Sequence, residues 1–177
     1  MSRPPEYENL IKTRSLEEVA PTPGSVPRYL QNAREYLETV KDVDQKRSLQ
    51  IFTLAYEGYF QLVQAVLEFY GVRTKDAGRN LAIQRVSTDL KLETGEFAFI
   101  TKAHARRNGT SYASPFPPVS SAEAAALVRV LERYIPEAYK LVNVPYIVRP
   151  APSIVTPPFP DPTSTTVVPR TEEAPRG

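Results

Sequence analysis

Between Arg28 and Ser114 the chain contains no proline, an 87-residue run bounded on both sides by proline-rich sequence. An interior proline costs a helix about 3 kcal/mol, so this run is where long helices are permitted. Residues 1–27 hold five prolines and residues 143–177 hold nine. The proline pattern predicts three regions: an N-terminal arm over 1–25, a helical bundle over 26–142 and a proline-rich tail over 143–177. The tail, mixed with Ser, Thr and charges, cannot build regular helix or a packed core and is expected to be disordered or extended. Its prolines at 152–162 would suit a polyproline-type ligand segment, although a solvated linker fits the composition better. In the arm, YENLIKTRSLEEVA (7–20) predicts a short amphipathic helix that docks on the bundle or on a partner.

Apolar residues recur with a period near 3.6 through the middle region, the mark of helices with one buried face. A first helix is expected over about 28–43, with Leu30, Ala33, Leu37 and Val40 on its stripe. A second, over about 44–70, has so wide an apolar face that it belongs at the centre of a bundle, with Gly71 as its stop. A third spans about 77–92 and a fourth begins near Gly95, with Phe97, Ile100 and Ala103 inward. After SPFPPV (114–119), Ser120 and Glu123 have capping-box spacing and open a fifth helix, in which Pro136 is expected to cause a kink or an early stop. Alternating patterns are scarce, with one weak strand candidate at 146–148. The fold class is therefore all-α, a bundle of four to five helices.

Composition removes several chemistries. There is no cysteine, so a disulfide scaffold, a thiolate metal site and a cysteine nucleophile are excluded. A single histidine, His104, excludes a multi-histidine zinc site within one chain, and no metal or cofactor is expected. No phosphate-cradling glycine loop or dinucleotide fingerprint is present. The amino-terminal MSRPPEYENL lacks the apolar core of a signal peptide, and no apolar run is long enough to span a bilayer, so a soluble cytoplasmic chain is expected. Net charge is only +2, but residues 73–107 hold eight Lys or Arg against four acids, a local +4.

That basic stretch runs into KAHARRNGTSY (102–112). On a helix, His104, Arg107, Asn108, Ser111 and Tyr112 share one broad face. The face offers a titrating imidazole, a planar guanidinium, an amide and a phenol, a set suited to a phosphodiester. The imidazole can take a proton near neutral pH, and Arg107 can bind phosphate oxygens and stabilise charge developing on them. Asn108 and Tyr112 can orient the ribose, and Arg106, Lys102 and Ser111 add substrate contacts. A plainer explanation competes: Asn108-Gly109 is a common helix terminator, and arginines in a last turn suit the helix dipole.

The long second helix with LAYEGYFQLVQAVLEFYGVR (54–73), followed on a later helix by ARRNGTSY (105–112), resembles the HEPN superfamily over roughly 26–142. The resemblance implies a small α-helical, RNA-targeting domain of toxin–antitoxin or defence systems, acting as a homodimer, with an antitoxin protein as a further partner. Active members carry an arginine, an adjacent polar residue and a histidine a few positions on, which form a metal-independent ribonuclease site. Arg107 and Asn108 match the first two; Tyr112 stands where the histidine would be. Tyrosine, with an ordinary pKa of about 10, is a poor base, and His104 precedes the arginine on the same face. A catalytic version with His104 assisting the ribose 2′-hydroxyl and an RNA-binding version that does not cut are both open. So is a non-catalytic interaction or dimerisation module with a structural Arg-Asn helix end. Arg107, Asn108 and Tyr112 facing a cleft would favour RNA; Arg107 held by an internal carboxylate would favour the interaction module.

Other conspicuous residues have ordinary explanations. Tyr56, Tyr59, Phe60, Phe69 and Tyr70 read as core and boundary rather than a base-stacking platform. Arg79 and Asn80 begin the third helix and could face a phosphate, although cap and surface roles fit better; the acids Glu35, Glu38, Asp42 and Asp44 read as a solvated face. Gly58 costs its helix about 1 kcal/mol relative to alanine and points to a close helix–helix approach.

Overall fold

The computed structural model describes residues 3–75, 78–112 and 117–146; side chains at 110–112 lie outside the described set. Six helices and two short strands follow in the order α1 (Pro5–Lys12), β1 (Leu16–Glu18), α2 (Ser25–Asp42), α3 (Ser48–Phe69), β2 (Val72–Thr74), α4 (Arg79–Asp89), α5 (Thr94–Tyr112) and α6 (Ser121–Leu141). The fold is all-α, with one small antiparallel pair in which Leu16 faces Thr74 and Glu18 faces Val72. The tail predicted to be disordered and most of the strand candidate at 146–148 fall outside the described residues.

Helix α3 is the centre, packing on α2, α6, α4 and α5. Twelve of its residues are buried, from Ile51 to Leu67, as the width of its apolar face predicts. Glycine at 58 is what lets α2 and α6 approach it: a Cβ there would stand 2.7 Å from Leu131 Cδ2 and 2.9 Å from Tyr36 Cβ. Gly71, at φ +65°, follows the end of α3 as expected. The one buried polar residue among those described, Ser87, is bonded through its hydroxyl to the Tyr59 phenol at 2.7 Å.

The arm is more than a short helix. Pro5 opens α1 at a position where its missing N–H costs nothing, and the chain then adds β1 to β2. Tyr7 is fully buried and donates its hydroxyl to Asp89 Oδ2 at 2.6 Å, while Asp89 pairs with Arg85 one turn back on α4. Where β2 leads into α4 the arm presses close. Lys75 N donates to the Ser15 carbonyl at 3.2 Å, and a Cβ on Gly78 would lie 1.9 Å from that oxygen. Only glycine fits there.

Helix α6 opens with the capping box: Ser120 Oγ accepts from Glu123 N at 3.2 Å, and Ser120 N donates to Glu123 Oε2 at 2.9 Å. Contrary to the expected early stop, α6 continues past Pro136 to Leu141, with Ile135, Ala138 and Tyr139 all buried. A missing backbone bond is offset there by packing on both sides of the proline.

Candidate functional site

Helix α5 runs through Asn108-Gly109 to Tyr112, so the expected terminator is not one. Gly109 is not in the left-handed conformation that a glycine stop requires. Arg106 and Arg107 therefore sit inside the helix and not in a dipole-matched last turn. The backbone of Ser111 and Tyr112 belongs to α5, which keeps their register with His104, Arg107 and Asn108; the side chains lie outside the described set.

Three elements converge on the inner end of that face. Helix α3 contributes Tyr56, Glu57 and Phe60; the first residue of α4 is Arg79; α5 supplies His104, Arg107 and Asn108. Tyr56 Oη lies 2.7 Å from His104 Nδ1, and Asn108 Nδ2 lies 3.3 Å from His104 Nε2. Arg107 Nη2 donates to Glu57 Oε1 at 3.0 Å, with both side chains about one-fifth exposed. The Arg107 guanidinium carbon stands 5.9 Å from the centre of the Tyr56 ring, and that of Arg79 stands 3.8 Å from the centre of the Phe60 ring.

Charge and burial set the protonation states. His104 is held below the usual histidine value, first by burial and then by the positive charges of Arg79 and Arg107. Its imidazole is neutral at neutral pH. Burial pushes the Tyr56 phenol up to about 12, Arg79 and Arg107 opposing and Glu57 adding to the rise. Asn108 Nδ2 can only donate, so Nε2 accepts and the neutral ring carries its proton on Nδ1, donating it to Tyr56 Oη. The ring is held at both nitrogens, and the longer Asn108 contact is the weaker one.

The other predicted contacts disperse. Arg106 donates through Nη2 to the carbonyls of Pro117 and Pro118 at 2.7 and 3.0 Å and lies 3.4 Å from Glu123, so it braces the approach to α6. Lys102, two positions before His104, is exposed on another side of α5. Tyr56, Tyr59 and Phe60 are buried as core, as expected, while Phe69 and Tyr70 are half-buried.

Four members of the cluster were not placed there by the sequence. Tyr56 and Phe60 look like core because they are core; their rings are buried while Tyr56 offers its hydroxyl and Phe60 a face. Glu57 did carry a signal, being the only charge between Arg47 and Glu68. A lone carboxylate on an otherwise uncharged central helix calls for a cationic partner. Arg79 was read only as a residue that could face a phosphate, with cap or surface roles fitting better; its place beside Phe60 depends on how the arm sets the start of α4. A separate groove of about 550 Å³, lined by Val40, Ile51, Ala124, Val128 and neighbours, lies between α2, α3 and α6. Among the described residues no group of acidic and histidine side chains could hold a metal ion, and no helix is long and apolar enough to cross a membrane.

No protein-family model matches this chain, and no curated protein matches it at a significant level.

Proposed function

We propose that this chain is a HEPN-like RNA-targeting domain that receives a phosphodiester at the α3–α4–α5 cluster and, in its catalytic form, acts as a metal-independent endoribonuclease. The observation that supports it is the placement, on one face of α5, of a guanidinium beside a neutral imidazole, Arg107 and His104; the hold of Glu57 on Arg107 counts toward the second reading below. In the reaction Arg107 stabilises charge on the phosphate oxygens and Asn108 orients the linkage. His104 takes the proton of the ribose 2′-hydroxyl once the Asn108 contact opens. The 2′-oxygen then bonds to phosphorus as the bond to the 5′-oxygen breaks, and the departing oxygen takes the proton back from His104, leaving a cyclic phosphate and a 5′-hydroxyl. Tyr112, on the same face, contributes by hydrogen bonding. Cytoplasmic location, a homodimer and an antitoxin protein belong to the same proposal.

One observation favours a second reading, a non-catalytic interaction or dimerisation module. Arg107 is engaged by an internal carboxylate and His104 is engaged at both ring nitrogens, which is also how a purely structural cluster would look.

Incubation of the purified protein with mixed cellular RNA in excess chelator, beside an Arg107→Ala variant of matched folding, separates them. Cleavage by the parent protein alone supports the ribonuclease, and His104→Ala then tests the base. RNA binding without cleavage leaves a binding domain, and neither leaves the interaction module.

A further inference from the structure

Arg79 lies 28 residues before Arg107 and outside the motif on which the RNA reading rests. The two meet through α3. Tyr56 and Phe60 are successive positions on one face of that helix, one turn and ~6 Å apart along the axis. Helix α5 lays the Arg107 guanidinium over the first ring, and α4 lays that of Arg79 over the second at 3.8 Å. The 3.8 Å contact with the Phe60 ring and a hydrogen bond to the Tyr56 phenol hold the Arg79 guanidinium in place, and its five N–H donors exceed what one phenol can occupy, so that donors remain for a phosphate.

Their charges are not equivalent. Arg107 is balanced by Glu57, whereas among the described residues no ion pair joins Arg79 to a carboxylate. With His104 neutral, Arg79, Arg107 and Glu57 together carry one net positive charge, which favours an anionic strand. The site of Arg79 is also built from outside. The Ser15 carbonyl packs against Gly78, the residue immediately before it, and fixes where α4 begins.

We infer that Arg79 is a second phosphate-contact residue, which takes the linkage next to the one at Arg107, so that a single-stranded nucleic acid runs from Arg107 to Arg79. This rests on the RNA reading. It adds to it a binding track and a residue that no motif includes.

Fluorescence anisotropy of a labelled single-stranded RNA against the full chain, titrated at several salt concentrations, tests it with Arg79→Ala, Arg79→Lys and Arg107→Ala, each checked by thermal melting. Arg79→Ala is expected to weaken binding roughly tenfold and to lower the slope of log affinity against log salt by about 0.7. Arg79→Lys, which keeps the charge but loses the fork, is expected to retain the slope with reduced affinity. A merely structural arginine would lower the melting temperature and leave the slope alone, and that result overturns the inference. So does unchanged binding by Arg79→Ala when Arg107→Ala binds weakly, an outcome that spares the RNA reading. If the parent chain binds no RNA, the reading itself fails and the inference with it.

Discussion

His104 shows at the scale of one residue how burial prepares a group for chemistry and exposes stability to pH. Its folded-state value is depressed from the ordinary 6.5 by burial and by Arg79 and Arg107. Between the ordinary value and the depressed one, the unfolded chain binds a proton that the folded chain refuses, so stability falls as pH is lowered through that window. Above the window the contribution is constant. Urea midpoints measured from pH 7.5 down to pH 5 should therefore fall more steeply for the parent chain than for His104→Gln; parallel curves would show that His104 titrates alike in both states. The face that holds this residue was legible: His104, Arg107 and Asn108 do come together, as helical spacing requires. Their partners were not, because Tyr56 and Glu57 are 48 and 50 residues away from His104 and Arg107, and spacing within one helix says nothing about which neighbour it meets.

Helix ends reveal what pattern reading can and cannot find. Where a glycine marks the stop, as at Gly71, the expectation held. Three other helices, α1, α4 and α6, close on a left-handed residue that is not glycine. Arg14, Lys91 and Asn143 take the left-handed conformation at φ of 59°, 57° and 56°. Behind each lies the same pair of bonds: after α4, Lys91 N donates to the Thr88 carbonyl at 3.0 Å and Leu92 N to that of Ser87 at 3.1 Å. This Schellman closure normally uses glycine, since a side chain there costs about 1–2 kcal/mol. With lysine at the turn, the apolar period runs on to Leu92 and hides a helix that ends at Asp89. Lys91→Gly should raise stability by about 0.5–1 kcal/mol, less than the full strain because glycine also loosens the unfolded chain. Chemical denaturation checks this, and a loss of stability would show that Lys91 makes a contact worth more than its strain. The strands were hidden for another reason. Each is three residues long, and their pairing joins residues 16–18 to 72–74, so neither has a pattern of its own.

Across the whole molecule, the proline pattern put the bundle at 26–142, whereas the compact unit runs Met1–Tyr146, including the arm and a few residues past α6. Val142 is buried, Val144 packs against the core, and the Tyr146 ring lies 4.9 Å from that of Tyr139 with Arg34 above it. A chain ended after Val142 should consequently be less stable than one ended after Tyr146 by roughly 1–2 kcal/mol, read as a shift in urea midpoint. Equal midpoints would place the true boundary at the end of α6. The arm has a consequence of a different kind, which concerns synthesis. Helices α2 and α3 are neighbours in sequence and can pair as soon as both have been made. Tyr7, however, finds its partner 82 residues later, at Asp89. At about 5–20 residues per second the ribosome needs roughly 4–16 s to bridge that gap. Throughout it the first segment to emerge waits with its tyrosine in water, until the end of α4 has been made.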